Sequence, residues 1–386
     1  MRTQHAIHAL QNFPVWSVGF ISDTRLVLGG GGGSGRSGVK NKLRLYEIQD
    51  QGNVIELINE SELERDEDAP MTMAVHPTDG ALVCGVNSSI ESLQKGTNEH
   101  CRLYVVRDNT LSPVGPALSY RLGLNSNVLQ NVTTFSKDFN LIAVGSTDNE
   151  VVVLSYPSLS VVATPFHIPS GQLYGLDFSP SSLLITTDTM LYMISLPLKI
   201  AAKDQEGSED EPHEVKLPEL EIEQQIPLPP LDVLGGKGDR GAVRVFNPLQ
   251  SETMYTVINS APPSGRSRNL KAVERKSYLV RWERATTGKS RKRTWHFKKA
   301  RNIGKRAITV FDISESGKLL AYGASDASVG VLDARTLAPL LTILKAHDFP
   351  PTALQFNPRS SLLVSGSADA SVRVMVIPMT FSSCRL

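Results

Sequence analysis

Two stretches near the C-terminus spell one pattern twice. AITVFDISESGKLLAYGASDASVGVLDA (307–334) and PTALQFNPRSSLLVSGSADASVRVMVIP (351–378) both pass from an apolar run through a tight turn to Leu-Leu, then Gly-x-x-Asp-Ala-Ser-Val-x-Val. LQNVTTFSKDFNLIAVGSTDNEVVVLSYP (129–157) is a third copy and QLYGLDFSPSSLLITTDTMLYMISLP (172–197) a shortened fourth. MTMAVHPTDGALVCGVNSS (71–89) with CRLYVV (101–106), and VWSVGFISDTRLVLGGGGG (15–33) with NKLRLYEI (41–48), are looser versions. The weakest lies around ETMYTVINSAP (252–262) and KSYLVRWE (276–283). Each copy holds short runs that alternate apolar and polar residues, the period of a half-buried strand, separated by turn residues. Strand-rich units recurring every ~40–45 residues build propeller blades of four strands. Seven units therefore predict an all-β fold, a single seven-bladed WD-repeat β-propeller spanning 1–386.

Ring closure is legible too. The last unit stops at its third strand, SVRVMVIP, while QHAIHAL (Gln4–Leu10) precedes the first unit and belongs to none. Pairing the two completes the last blade and leaves no open sheet edge. Two segments break the rhythm. Residues 203–224 are acidic and poor in aromatics, so they are expected to be a solvated, disordered insert. Residues 264–306 are densely basic and are expected to form an insert or hairpin within an irregular blade.

The composition excludes several function classes. A formal net charge of +1 favours neither nucleic acid nor membrane in bulk. Three scattered cysteines, Cys84, Cys101 and Cys384, have no metal-ligand spacing and suit a reducing compartment. No run is long and apolar enough to span a bilayer, so the chain alone reads as soluble and cytosolic. His5 and His8 fall on opposite faces of a strand, and His347, in AHDFPPTAL, sits where a WD repeat keeps a structural hydrogen-bonding histidine. No nucleophile, paired-carboxylate or triad spacing appears, which makes hydrolase or transferase chemistry unattractive. The basic segment interleaves Trp282, Trp295 and Phe297 with Lys and Arg, a pattern able to hold phosphates and stack bases. The competing reading is a solvated hairpin, and no nucleic acid is expected as a partner.

The most distinctive stretch is GGGGGSGRSGVKNKL (29–43). Residues 33–38 fit G-x-G-x-x-G, but an alternating strand follows where a dinucleotide fold needs a helix, and Val39 stands where a Walker loop needs Lys. Two readings remain from the residues: a disordered hairpin tip, or a loop whose glycines turn several carbonyls inward around a monovalent cation, with Asn41 adding an amide oxygen.

The loop, the propeller and AHDFPPTALQFNP together resemble the membrane-anchored guanine-nucleotide exchange factors of the endoplasmic reticulum, the prolactin-regulatory-element-binding protein family, with fungal members most similar. The resemblance implies a factor that activates a Sar-type small GTPase and initiates COPII vesicle budding, through a catalytic loop organised by a potassium ion: a regulator of a GTPase with no covalent chemistry of its own. It implies that Gly29, Gly30, Gly31, Gly32 and Gly33 shape a partner-binding loop, joined by Val39 and Lys40. It implies backbone carbonyls of Gly35, Arg36, Ser37 and Gly38 as ion ligands, Val39 as the apolar contact with the GTPase, and Asn41 as anchor of ion and loop. Family members act at the cytosolic face of the endoplasmic reticulum and continue into a membrane-spanning helix; this chain ends at MTFSSCRL. The propeller is expected to be monomeric. A non-catalytic scaffold that binds a peptide or protein on its top face is the alternative, as is a propeller that binds nucleic acid through the basic segment.

Overall fold

The computed structural model describes residues 4–35, 37–114, 128–196, 217–234, 239–246, 252–261, 275–286 and 293–378. They form seven four-stranded antiparallel sheets, each built from strands consecutive in sequence except the last. Blade one comprises Val15–Phe20, Arg25–Gly30, Lys42–Gln49 and Val54–Glu62. Blade two comprises Thr72–Val75, Ala81–Gly85, Cys101–Arg107 and Thr110–Pro113. In blade seven, Pro351–Phe356, Leu362–Ser367 and Ser371–Val376 are completed by the N-terminal strand His5–Ala9.

The closing strand is the one expected from the sequence. His5 pairs with Met375 and Ala9 with Ser371. The flanking bonds extend the pairing by a residue each way: Val376 N–H donates to Gln4 O at 2.9 Å, and Leu10 N–H to Ala370 O at 2.7 Å. His5 and His8 hold no common ligand; His5 Nδ1 meets Arg373 at 2.8 Å and His8 Nε2 meets Gly52 O at 2.9 Å.

Period-two alternation packs each blade against both neighbours. In blade one, Leu43 and Leu45 join Leu82, Cys84 and Tyr104 of blade two. Tyr46 and Ile48, on the opposite face of the same strand, join Val372 and Val374 of blade seven. Burial raises the thiols of Cys84 and Cys101 to about 12, so both stay protonated inside the sheet. The first strands of six blades line a central cavity of about 440 Å³, with Trp16, Thr72, Asn131, Tyr174, Asp312 and Gln355 among its walls.

The acidic segment differs from expectation at its C-terminal end, and the basic segment forms a hairpin within a blade as expected. Residues 203–216 lie outside the described residues, but Glu221–Pro227 is the outer strand of blade four, with Ile222 opposite Ile194 and Ile226 opposite Leu191. The alternation of Ile222, Gln224 and Ile226 with Glu221, Glu223 and Gln225 decides this: one side of the strand is covered and the acids face water. The basic segment supplies the third and fourth strands of blade five, Ser277–Thr286 and Arg293–Gly304, paired as a hairpin. Trp282 and Trp295 are 2% and 3% exposed within an apolar cluster, and Trp282 Nε1 donates to Thr256 Oγ1 at 2.9 Å. The two tryptophans are core residues, closed to base stacking. Phe297 alone of the three aromatics is exposed.

Candidate functional site

The glycine-rich stretch connects the second and third strands of blade one, and its base is tied down on three sides. Gly31 donates its N–H to Pro14 O at 3.0 Å and accepts from Trp16 Nε1 at 2.8 Å. Asn41, 9% exposed, accepts from Gly33 N–H through Oδ1 at 2.9 Å. Its Nδ2 donates to Gly33 O at 3.0 Å and to Glu67 O at 2.7 Å. Asp68 accepts from Ser34 N–H at 3.1 Å and from Ala69 N–H at 2.8 Å. A chain of glycines, which has the most conformational freedom to lose, is thus held by an amide and a carboxylate from the two segments that flank it in space.

Glycine is required at Gly31 and eases a close approach at Gly32. Gly31 has φ +135°, and a Cβ there would run into the Asn41 amide. A Cβ on Gly32 would overlap the Ser37 hydroxyl. Beyond the base, two bonds run within the tip: Ser37 N–H donates to Gly35 O at 2.7 Å and Val39 N–H to Ser37 Oγ at 3.3 Å. Ser34, Gly35, Ser37, Gly38 and Lys40 are exposed and Val39 is half-buried.

The sequence-derived site therefore divides. Gly29 and Gly30 end a strand and, with Gly31, are buried, so they shape the loop without offering a surface. Val39, Lys40, Gly35, Ser37 and Gly38 sit together at the tip, and Arg36 lies outside the described residues. Lys40 bonds Glu62 at 2.6 Å, and this bond holds the Glu62 carboxyl below the usual carboxylate range. Asn41 is a pin first: both ends of its amide are engaged within the protein.

The tip offers amide-type oxygens with lone pairs to spare. Gly33 O, Gly35 O and Asn41 Oδ1 each accept one hydrogen bond and retain a second lone pair. Neutral carbonyl donors of this kind fit a large, weakly hydrated monovalent cation. No group of three or more His, Cys, Asp or Glu side chains able to hold a metal ion occurs among the described residues.

Sequence reasoning missed the supports: Trp16, Glu67, Asp68 and Arg102. Glu67 is 5% exposed, and its carboxylate is gripped by both terminal nitrogens of Arg102, one at 2.9 Å. Glu67 and Asp68 lie in the link from blade one to blade two, and Arg102 on the third strand of blade two. No sequence spacing marks residues that meet only when blades pack.

His347 and His76 are structural. His347 Nδ1 and Nε2 meet Ser371 Oγ and Ser365 Oγ, each at 2.7 Å, and burial lowers its imidazole to about 4. His76 stacks on Tyr156 with ring centroids 4.9 Å apart.

With this geometry in view, the relatives are informative. Residues 338–374 match the WD domain, G-beta repeat family. The guanine nucleotide-exchange factor SEC12 of Candida glabrata is 23% identical over 97% of this chain and 72% of its own length. The SEC12-like protein 2 of Arabidopsis thaliana is 23% identical over 89% of this chain and 74% of its own. Over most of its length the chain is thus similar to proteins named SEC12 and SEC12-like. The putative guanine nucleotide-exchange factor SED4 of Saccharomyces cerevisiae is 20% identical over 96% of this chain, which spans 31% of that longer protein. Among solved structures, the C-terminal WD40 domain of Sif2 superposes with a TM-score of 0.57 at 12% identity, covering 96% of this chain and 98% of that one. At that identity the likeness speaks for the propeller alone; the relation to SEC12 proteins comes from the sequences. None of the helices among the described residues is long and apolar enough to cross a membrane.

Proposed function

We propose that this propeller is a guanine-nucleotide exchange factor that promotes GDP release and GTP loading on a Sar-type small GTPase, starting COPII budding at the cytosolic face of the endoplasmic reticulum. The coarse part of the reading, an exchange factor acting on a small GTPase, is supported by the names of the relatives. The observation that carries the reading is the glycine loop: a base fixed by Asn41, Trp16 and Asp68, and an exposed tip that presents Val39. Exchange needs a protein that binds the nucleotide-free GTPase better than the loaded one, since only a differential affinity shifts the equilibrium. A loop ordered before the encounter loses little entropy on docking, so more of its contact energy is available to distort the nucleotide site.

A potassium ion bound by the tip carbonyls and Asn41 would neutralise converging carbonyl dipoles. The protein's own residues do the rest. Asn41 pins Gly33, Ser37 supports Val39 through its backbone N–H, and Val39 meets the GTPase. The test is release of labelled GDP from a Sar-type GTPase with and without this protein, in potassium and in sodium buffers. Accelerated release that is faster in potassium is expected. Unchanged release in both buffers overturns exchange activity; acceleration of equal size in both overturns the role of the ion.

A further inference from the structure

The pin that holds the loop is itself held. Asn41 Nδ2 donates to the main-chain oxygen of Glu67 at 2.7 Å, the one contact of its amide that reaches outside the loop. Glu67 also accepts Glu64 N–H on its carboxylate at 2.9 Å, which closes the link into a tight turn. The carboxylate is then clamped by Arg102, whose guanidinium donates to both oxygens while its Nε donates to Glu99 O at 2.7 Å. The next residue, Asp68, donates its N–H to Asn87 O at 3.0 Å and caps Ser34 N–H. The glycine loop of blade one therefore rests on a two-residue plinth, Glu67 and Asp68, which blade two fixes from the far side.

We infer that Arg102 is a positioning residue for the glycine loop: through its bidentate grip on Glu67 it sets where Asn41, and hence the tip with Val39, stands. Planar two-point recognition is what makes the choice of Arg physical. A guanidinium fixes both the distance and the orientation of a carboxylate, whereas an ammonium fixes only a distance. The pair is nearly enclosed, with side-chain exposures of 12% for Arg102 and 7% for Glu67, so solvent screens it little. Arg102 spends its hydrogen bonds on Glu67 and Glu99 and none on the described residues of the loop, so its effect reaches Ser34 and Gly33 through the plinth. The inference rests on the exchange reading for its consequence, but its geometric content is independent of it.

The test compares wild type, Arg102→Met, Arg102→Lys and the charge-swapped double variant Glu67→Arg/Arg102→Glu, in the full chain. Two readouts are taken: residue-resolved hydrogen exchange at Gly33 and Ser34, and the maximal and half-saturating parameters of GDP release from a Sar-type GTPase. In Arg102→Met the two amides are expected to lose protection at least ten-fold, while the Leu320 and Leu363 amides in blades six and seven keep theirs. Maximal release is expected to fall at least ten-fold with a smaller change in half-saturation, because the tip is misplaced and not removed. Arg102→Lys should lie between, and the swapped pair should recover protection relative to Arg102→Met. Should Arg102→Met lose protection everywhere, it has unfolded, and Arg102→Lys decides: wild-type exchange at Gly33 and Ser34 in a folded Arg102→Lys overturns the inference. So does unchanged protection in a folded Arg102→Met. Amides that respond while wild-type protein fails to release GDP leave Arg102 as the plinth clamp and overturn the exchange reading instead.

Discussion

Asn41 and Val39 stand two residues apart, yet they do different work. Asn41 is buried and makes three side-chain hydrogen bonds within the loop and its plinth. Asn41→Ala is expected to cost roughly 2–3 kcal/mol of stability, because Gly33 N–H and Glu67 O lose their partner in a confined space; it should also lower exchange ten-fold or more. Val39→Asp is expected to abolish exchange with an unchanged melting temperature, since the residue is only half-buried and its own N–H bonds a neighbour within the tip. Melting curves and GDP release on both variants check the contrast; equal melting shifts would mean that Asn41 pins nothing. His347 gives a pH signature. Its imidazole titrates at about 4 when folded and near 6.5 when unfolded. The unfolded chain therefore binds more protons between those values, and the stabilisation is complete above 6.5 and lost as pH falls toward 4. Moving from pH 7.5 to 5 should remove roughly 2 kcal/mol through this residue, read from urea midpoints. His347→Gln, which can still bond Ser365 and Ser371, should flatten that slope. His100, also lowered to about 4 by burial, contributes the same sign and leaves a remainder.

At the scale of elements, what the sequence displays is what local alternation can carry. The copies at 307–334 and 351–378 each fold as three strands of a blade because their apolar residues recur at period two between turn signals. The glycine loop was legible as a loop, and Asn41 as its anchor, because glycine runs and a lone amide before an alternating strand have local meaning. Asp68 and Arg102 were not, since their roles arise where blade one meets blade two, and no local pattern encodes that meeting; Trp16 meets Gly31 across strands within blade one, a pairing that its own segment does not mark either. The basic segment misleads for a related reason. Lys and Arg dominate its composition, but along Ser277–Thr286 and Arg293–Gly304 the apolar residues Tyr278, Val280, Trp282 and Trp295 fall on the covered side. Trp282→Ala is expected to destabilise the propeller by about 3–5 kcal/mol, through the cavity left in that cluster and the lost bond to Thr256. Calorimetry measures this directly, and a shift within error would return the tryptophan to the surface.

On the scale of the whole molecule, seven sheets share one closure. Deleting residues 1–10 removes the outer strand of blade seven and the His8 contact to Gly52 in blade one, exposing the edge Ser371–Val376. Unfolding of that variant should lose its single cooperative transition, and an unaltered transition would show that the ring stays shut without its clasp. The same pairing orders events during synthesis. His5–Ala9 is among the first segments to leave the ribosome, but its partner is made roughly 360 residues later. At ~5–20 residues per second, that is a wait of about 20–70 s. Blade one can form early from consecutive strands, and so can each sheet after it except the last, but the growing arc keeps one unpaired leading strand throughout. Anything that captures that strand in the interval, whether a second nascent chain or a chaperone, competes directly with completion of the circle.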